Sequence, residues 1–132
     1  MVKTMDIKKS IKVLIIDNEP NILLSLEFLM KKEGFIVFIA RDGEEAFDIL
    51  KREHPKIVFL DTMMPKVDGY EVCKFIKGRH DTKETKVIFL NAKSKEKDTD
   101  NTNSIGADLY IPKPFSTRDL VKKVNIMASM VV

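Results

Sequence analysis

The chain has 132 residues, 44% hydrophobic and 33% charged, with 23 basic against 20 acidic side chains and a formal net charge of +3. That length suits one domain with one sizeable core. Most of the surplus charge lies in residues 1–10 (Lys3, Lys8 and Lys9 against Asp6), so the remainder lends no electrostatic support to nucleic-acid binding. A single cysteine, Cys73, excludes an internal disulfide and a cysteine-based zinc site. The longest uninterrupted apolar run, Phe35–Ala40, falls far short of the ~20 residues of a membrane helix. No apolar region of the secretory kind follows the first lysines. The expectation is a soluble, cytoplasmic chain with a loose leader at 1–10 and one domain at 11–128.

Short apolar runs alternate with longer amphipathic ones. Val13-Leu14-Ile15-Ile16 is the first run, and its β-branched character predicts a strand buried on both faces. A helix is predicted from Pro20-Asn21 to Gly34, with Ile22, Leu26, Leu29 and Met30 on one stripe. Phe35–Ile39 predicts the second strand, and Ala46, Ile49 and Leu50 mark a helix after Asp42-Gly43. Ile57–Leu60 is the third strand, and Val72, Cys73 and Ile76 mark the helix after Asp68-Gly69. The stripe places Cys73 in the core. His54 and His80, in polar stretches before Pro55 and Asp81, are expected in loops. Val87–Leu90 is the fourth strand and Leu109–Ile111 a weaker fifth. Leu120, Val124 and Met127 form the last stripe, opened by Ser116 with Asp119 three residues on, close to a capping box.

Five strand–helix repeats with short connections need right-handed crossovers, which gives a three-layer α/β/α sandwich around a parallel sheet. One stretch departs from the pattern. Lys93 to Ser104 holds no apolar residue, so a fourth helix there has little to bury, and residues 94–104 are expected to be frayed or displaced.

Sites in such sheets form beyond the carboxyl ends of the strands. There the chain carries Asp17-Asn18-Glu19 after the first strand and Asp61-Thr62-Met63-Met64-Pro65 after the third. Asn91-Ala92-Lys93 follows the fourth and Pro112-Lys113-Pro114-Phe115 the fifth. Asp17 facing Asp61 makes a hard-oxygen pair suited to Mg²⁺. A carboxylate beside a divalent cation and a lysine can accept a phosphoryl group, because both cations neutralise charge on the transferring oxygens.

These stretches resemble the receiver domain of two-component response regulators. The resemblance spans residues 11–128. It is carried by Val13-Leu-Ile-Ile-Asp17-Asn18-Glu19-Pro20, Phe59-Leu-Asp61-Thr-Met-Met-Pro65-Lys-Val-Asp68-Gly69, and Gly106-Ala-Asp108-Leu-Tyr110-Ile-Pro-Lys113-Pro114-Phe115. It implies a flavodoxin-like fold with strand order 2-1-3-4-5 and Asp61 as phosphoacceptor. The implied Mg²⁺ site uses Asp17, Asp61 and the Met63 backbone carbonyl, with Asn18 where the family carries a second acid. Lys113, Asn91 and Thr62 would contact the phosphoryl oxygens, and Asn91 and Tyr110 would form the switch, Asn91 standing where the family has Thr or Ser. Pro114 is implied to follow a cis bond. With Asn18 the pocket is expected to hold two carboxylates instead of three, and Mg²⁺ to bind less tightly. Lys113 is expected at the solvent edge, so that its loss spares the fold.

The implied partners are a sensor histidine kinase or phosphotransfer protein upstream and an output protein or fused effector domain downstream, with a homodimer possible. Such a domain is a phosphoacceptor that assists its own Mg²⁺-dependent phosphoryl transfer and hydrolysis, not a metabolic enzyme. The rival reading is a degenerate receiver, a phosphorylation-independent interaction module, supported by Asn18 and Asn91. A haloacid-dehalogenase-type phosphatase would need Asp where Met63 stands. A flavin carrier would need a phosphate loop where Asp17-Asn18-Glu19-Pro20 is acidic.

Overall fold

The computed structural model describes residues 9–61, 69–91 and 107–131. Its elements run β1 (Lys12–Ile16), α1 (Pro20–Lys32), β2 (Ile36–Ala40), α2 (Gly43–Glu53), β3 (Ile57–Asp61), α3 (Gly69–Gly78), β4 (Lys86–Asn91), β5 (Leu109–Pro112) and α4 (Thr117–Met130). The five strands form one parallel sheet in the order β2-β1-β3-β4-β5, as the resemblance implied. Residues 94–104, for which fraying was expected, lie outside the described residues, as do Thr62 and Met63.

The sheet is buried on both faces because alternate residues of each strand serve different cores. Val13, Ile15, Ile57, Phe59, Ile88, Leu90 and Ile111 pack with Leu23, Leu26 and Met30 of α1 and Leu120, Val124 and Met127 of α4. On the opposite face Leu14, Ile16, Val58, Leu60, Val87 and Phe89 pack with Ala46, Ile49 and Leu50 of α2 and Val72, Cys73 and Ile76 of α3. Cys73 is thus a core residue, and burial pushes its thiol up to about 11.

Local chemistry sets the helix ends. The Asp42 side chain accepts from Glu45 N at the start of α2, and Ser116 Oγ accepts from Asp119 N at the start of α4. At the end of α1, Gly34 has φ 102°, a left-handed turn that glycine adopts without steric cost. His54 caps α2 at φ 50° and is exposed, and His80 is exposed in a turn.

Asp108, in the motif before β5, also has a structural account. Asp108 Oδ2 accepts from Val87 N at 2.9 Å and from Lys77 Nζ at 2.8 Å, while Asp108 N donates to Val87 O at 2.9 Å. Lys77 Nζ also donates to Thr85 O at 2.7 Å. One carboxylate therefore fastens the starts of β4 and β5 to the end of α3.

Candidate functional site at the carboxyl edge of the sheet

Parallel pairing brings the strand ends level. Ile16 lies opposite Ala40 and Leu60, Asp61 opposite Leu90, and Asn91 opposite Pro112. Residues far apart in sequence therefore leave the same edge. Between β1 and β3 the chain order reverses across the sheet, which is where open α/β sheets form their crevice.

Asp17 follows β1 and is fully buried. Its backbone N–H donates to Ala40 O at 3.2 Å, which prolongs the β1–β2 ladder by one residue. Its side chain is held at both oxygens, since Oδ1 accepts from Glu19 N at 2.9 Å and Oδ2 from Lys113 Nζ at 2.9 Å. Asp61 ends β3, buried like the four apolar residues before it. Lys113 leaves β5 through a cis Lys113–Pro114 bond. Its ammonium lies 2.9 Å from Asp17, 3.1 Å from Glu19 and 3.7 Å from Asp61.

The lysine is not at the solvent edge, contrary to expectation, for its side chain is only 9% exposed. Level strand ends draw it inward over two carboxylates. Burial is the largest single influence and acts against its charge, but the Asp17 hydrogen bond, the Asp17 and Asp61 charges and the Glu19 hydrogen bond together outweigh it, and the ammonium is held above the usual lysine range.

The expectation of two carboxylates is also corrected. Asp17, Glu19 and Asp61 each offer an oxygen within 4.8 Å of the others. Sequence reasoning passed over Glu19, whose signal was an acid two residues beyond Asp17 and directly before the helix-opening Pro20. Asn18, the position expected to face a metal, is exposed. Asn91 is placed by its backbone beside Pro112, and its side chain lies outside the described atoms. Tyr110 is half-buried on β5 beside Phe89 and packs on the α2–α3 face.

The donor set fits a hard divalent cation. All three donors are carboxylate oxygens, and Mg²⁺ binds oxygen at about 2.0–2.1 Å, which sets opposed ligands about 4 Å apart. Three carboxylates against one ammonium leave a formal excess of two negative charges. One divalent cation offsets that excess.

Comparison with known proteins agrees with this geometry. Residues 13–125 match the family model described as response regulator receiver domain. Among solved structures, the chain is similar to the signal receiver domain of a signal transduction histidine kinase from Syntrophus aciditrophicus. The two are 30% identical with a TM-score of 0.85, over 92% of this chain and 92% of that one. It is similar also to the receiver domain of Francisella response regulator 1452, at 28% identity and TM-score 0.85, over 93% of this chain and 100% of that one. A CheY-like response regulator receiver domain protein from Methanospirillum hungatei matches at 25% identity and TM-score 0.85, over 91% and 94%.

Proposed function

Since the chain belongs to the response regulator receiver-domain family, we propose that Asp61 accepts a phosphoryl group from the phosphohistidine of a sensor kinase or phosphotransfer protein. The observation that carries this reading is Lys113. Its nearly buried ammonium spans Asp17 after β1 and Asp61 at the end of β3, two carboxylates whose strands pair side by side.

In the proposed step, an Asp61 carboxylate oxygen attacks phosphorus. The O–P bond forms as the donor's P–N bond breaks, and the imidazole nitrogen keeps the electron pair and takes up a proton. Lys113 stabilises negative charge on the phosphoryl oxygens, a role its raised proton affinity suits. Asp17, Asp61 and the Met63 carbonyl would hold Mg²⁺. Bound there, the cation neutralises charge on the transferring oxygens and adds nothing redox. Asn18 brings a neutral amide, so affinity is lower than an acid at that position would provide. Thr62 and Asn91 complete the phosphoryl contacts, and Asn91 with Tyr110 forms the switch by which the surface changes. Water later hydrolyses the acyl phosphate, so the domain signals and does not turn over a metabolite.

The output is a surface read by a separate protein, a fused effector or a second copy, in the cytoplasm. No described helix is long and apolar enough to cross a membrane. Intact-mass measurement after incubation with acetyl phosphate and Mg²⁺ tests the reading. One added phosphoryl group is expected, absent from Asp61→Asn. No gain in the wild type refutes it and favours a phosphorylation-independent interaction module.

A further inference from the structure

We infer that a second copy of this chain pairs with the open edge of β2, joining two five-stranded sheets into one across a two-fold axis. The surface is separate from the carboxyl-edge pocket, and the inference does not depend on the phosphoacceptor reading.

The backbone provides the first observation. Among the described residues β2 pairs with β1 alone, so its other side is an edge. Ile36 N donates to Ile11 O and Asp17 N to Ala40 O, which turns the polar groups of Ile36, Phe38 and Ala40 toward β1. Alternate residues of a parallel ladder face the other way, so Val37 and Ile39 present their N–H and C=O groups outward. Edge strands are usually blunted by charge, proline or a bulge. Ile36-Val37-Phe38-Ile39-Ala40 has neither charge nor proline, whereas the opposite edge, β5, carries Pro112.

That pattern is self-complementary. Laid antiparallel on a copy of itself about Phe38, β2 sets each Val37 opposite the Ile39 of the other copy. Both are hydrogen-bonded positions, so every outward group finds a partner. Phe38 falls opposite Phe38 of the second copy at the non-bonded position between them.

The helix beside the edge completes the surface. α1 runs back over β2, since Leu24 and Glu27 line a cavity of about 240 Å³ with Ile39 and Arg41, while Phe35 N donates to Met30 O. An axis through Phe38 therefore passes α1 near Phe28. Leu24 is 68% exposed and Phe28 66%, one turn apart on one stripe. With strands about 4.8 Å apart, a helix seated over β1 and β2 lies about 10 Å from its mate, within packing distance. Charge agrees as well. Glu27 and Lys31, 3.0 Å apart, share this side of α1, and the axis brings the acid of each copy within a turn of the base of the other. The contact engages about half the roughly 20–30 residues a side of a standard interface, which suits a reversible dimer.

The test is sedimentation of the full, unphosphorylated chain over a concentration series, joined to cysteine cross-linking. A monomer–dimer equilibrium is expected. Phe28→Glu changes an exposed side chain and sets like charges together at the axis, so it should weaken association by about tenfold or more. Phe38→Cys is expected to give a disulfide-linked dimer under mild oxidation, because Cα atoms at a non-bonded antiparallel position lie about 4.5 Å apart. Ile36→Cys, opposite Ala40, should not cross-link, and the native Cys73 is buried. A wild type that stays monomeric at millimolar concentration overturns the inference. So does a dimer that Phe28→Glu leaves intact and Phe38→Cys fails to cross-link, which would place the contact on another face. An unrelated extended peptide that adds to β2 while the chain itself stays monomeric also overturns it, and assigns the edge to a different partner.

Discussion

Replacing Lys113 by Met keeps most of the side-chain volume and removes the positive charge that bridges Asp17 and Asp61. The Asp17 side chain is 0% exposed and the Asp61 side chain 5%. Removing one member of a buried ion pair typically costs about 3–5 kcal/mol, because the survivor is left buried and uncompensated. Two of the three partners here are buried, while Glu19 is 56% exposed and adds little, as surface pairs do. The lower end, about 3 kcal/mol, is therefore expected. For a domain of this size that lowers the thermal midpoint by roughly 10 °C.

Mg²⁺ should reverse part of the loss, since a ligand at 100 times its dissociation constant contributes about 2.7 kcal/mol. The rise in midpoint on adding Mg²⁺ should be larger in Lys113→Met than in wild type, whose lysine already neutralises the pocket. The pH dependence follows from the lysine's raised affinity for its proton. A folded-state value above the unfolded one contributes stability that is full below the usual lysine range, and that is lost as pH rises through the folded value. The gap between wild type and variant should hold steady from neutrality to about pH 9 and close only above the usual lysine value of about 10.4. Thermal melts across pH, with and without Mg²⁺, provide every quantity. A variant melting within about 2 °C of wild type would mean that Lys113 behaves as a surface lysine, worth about 0–1 kcal/mol. The account of a charge-balanced pocket would then be wrong.

Asp108→Ala removes the acceptor for Val87 N and Lys77 Nζ, and should destabilise by about 2 kcal/mol because a sheet-edge donor loses its partner. Urea unfolding with an unchanged m-value measures this, and a midpoint equal to wild type would show that water replaces the carboxylate. Cys73, buried and pushed up to about 11 from an ordinary 9.0, should resist thiol reagents at pH 8 unless the chain unfolds. The same shift means the folded state holds the proton more tightly, so its contribution to stability declines as pH rises from 9 to 11. Prompt stoichiometric labelling of native protein would contradict its burial.

What was legible in the sequence was whatever depends on near neighbours. Val13–Ile16 and Ile57–Leu60 are apolar at successive positions because each strand has a helix layer on both faces, and the structure returns them as strands extended by Lys12 and Asp61. The stripe read for α1 faces the core, and Leu23 at its margin joins it. Leu23 is buried with Leu26 and Met30, while Ile22 and Leu29 are only partly buried and Leu24 and Phe28 are exposed. Leu24 and Phe28 interrupt the polar side of this helix, which blurs the margin of its apolar stripe.

The site divides along the same line. That Asp17, Asp61 and Lys113 share an edge follows from their following parallel strands, and a strand pattern is enough to state it. The burial of Lys113 depends on how level those ends are, which is set by the Ile16–Leu60 and Asn91–Pro112 pairings between segments dozens of residues apart. Glu19 depends on something shorter in range but equally invisible: a side-chain acceptor on Asp17 bends the next two residues, so the acid in the pocket is the one at the helix cap. A residue-by-residue carry-over of the family pattern assigns the metal-facing role to position 18, because it counts along the chain. The turn built on Asp17 counts differently. Glu19, offset by one residue, is therefore the acid whose carboxylate reaches Lys113 beside Asp17.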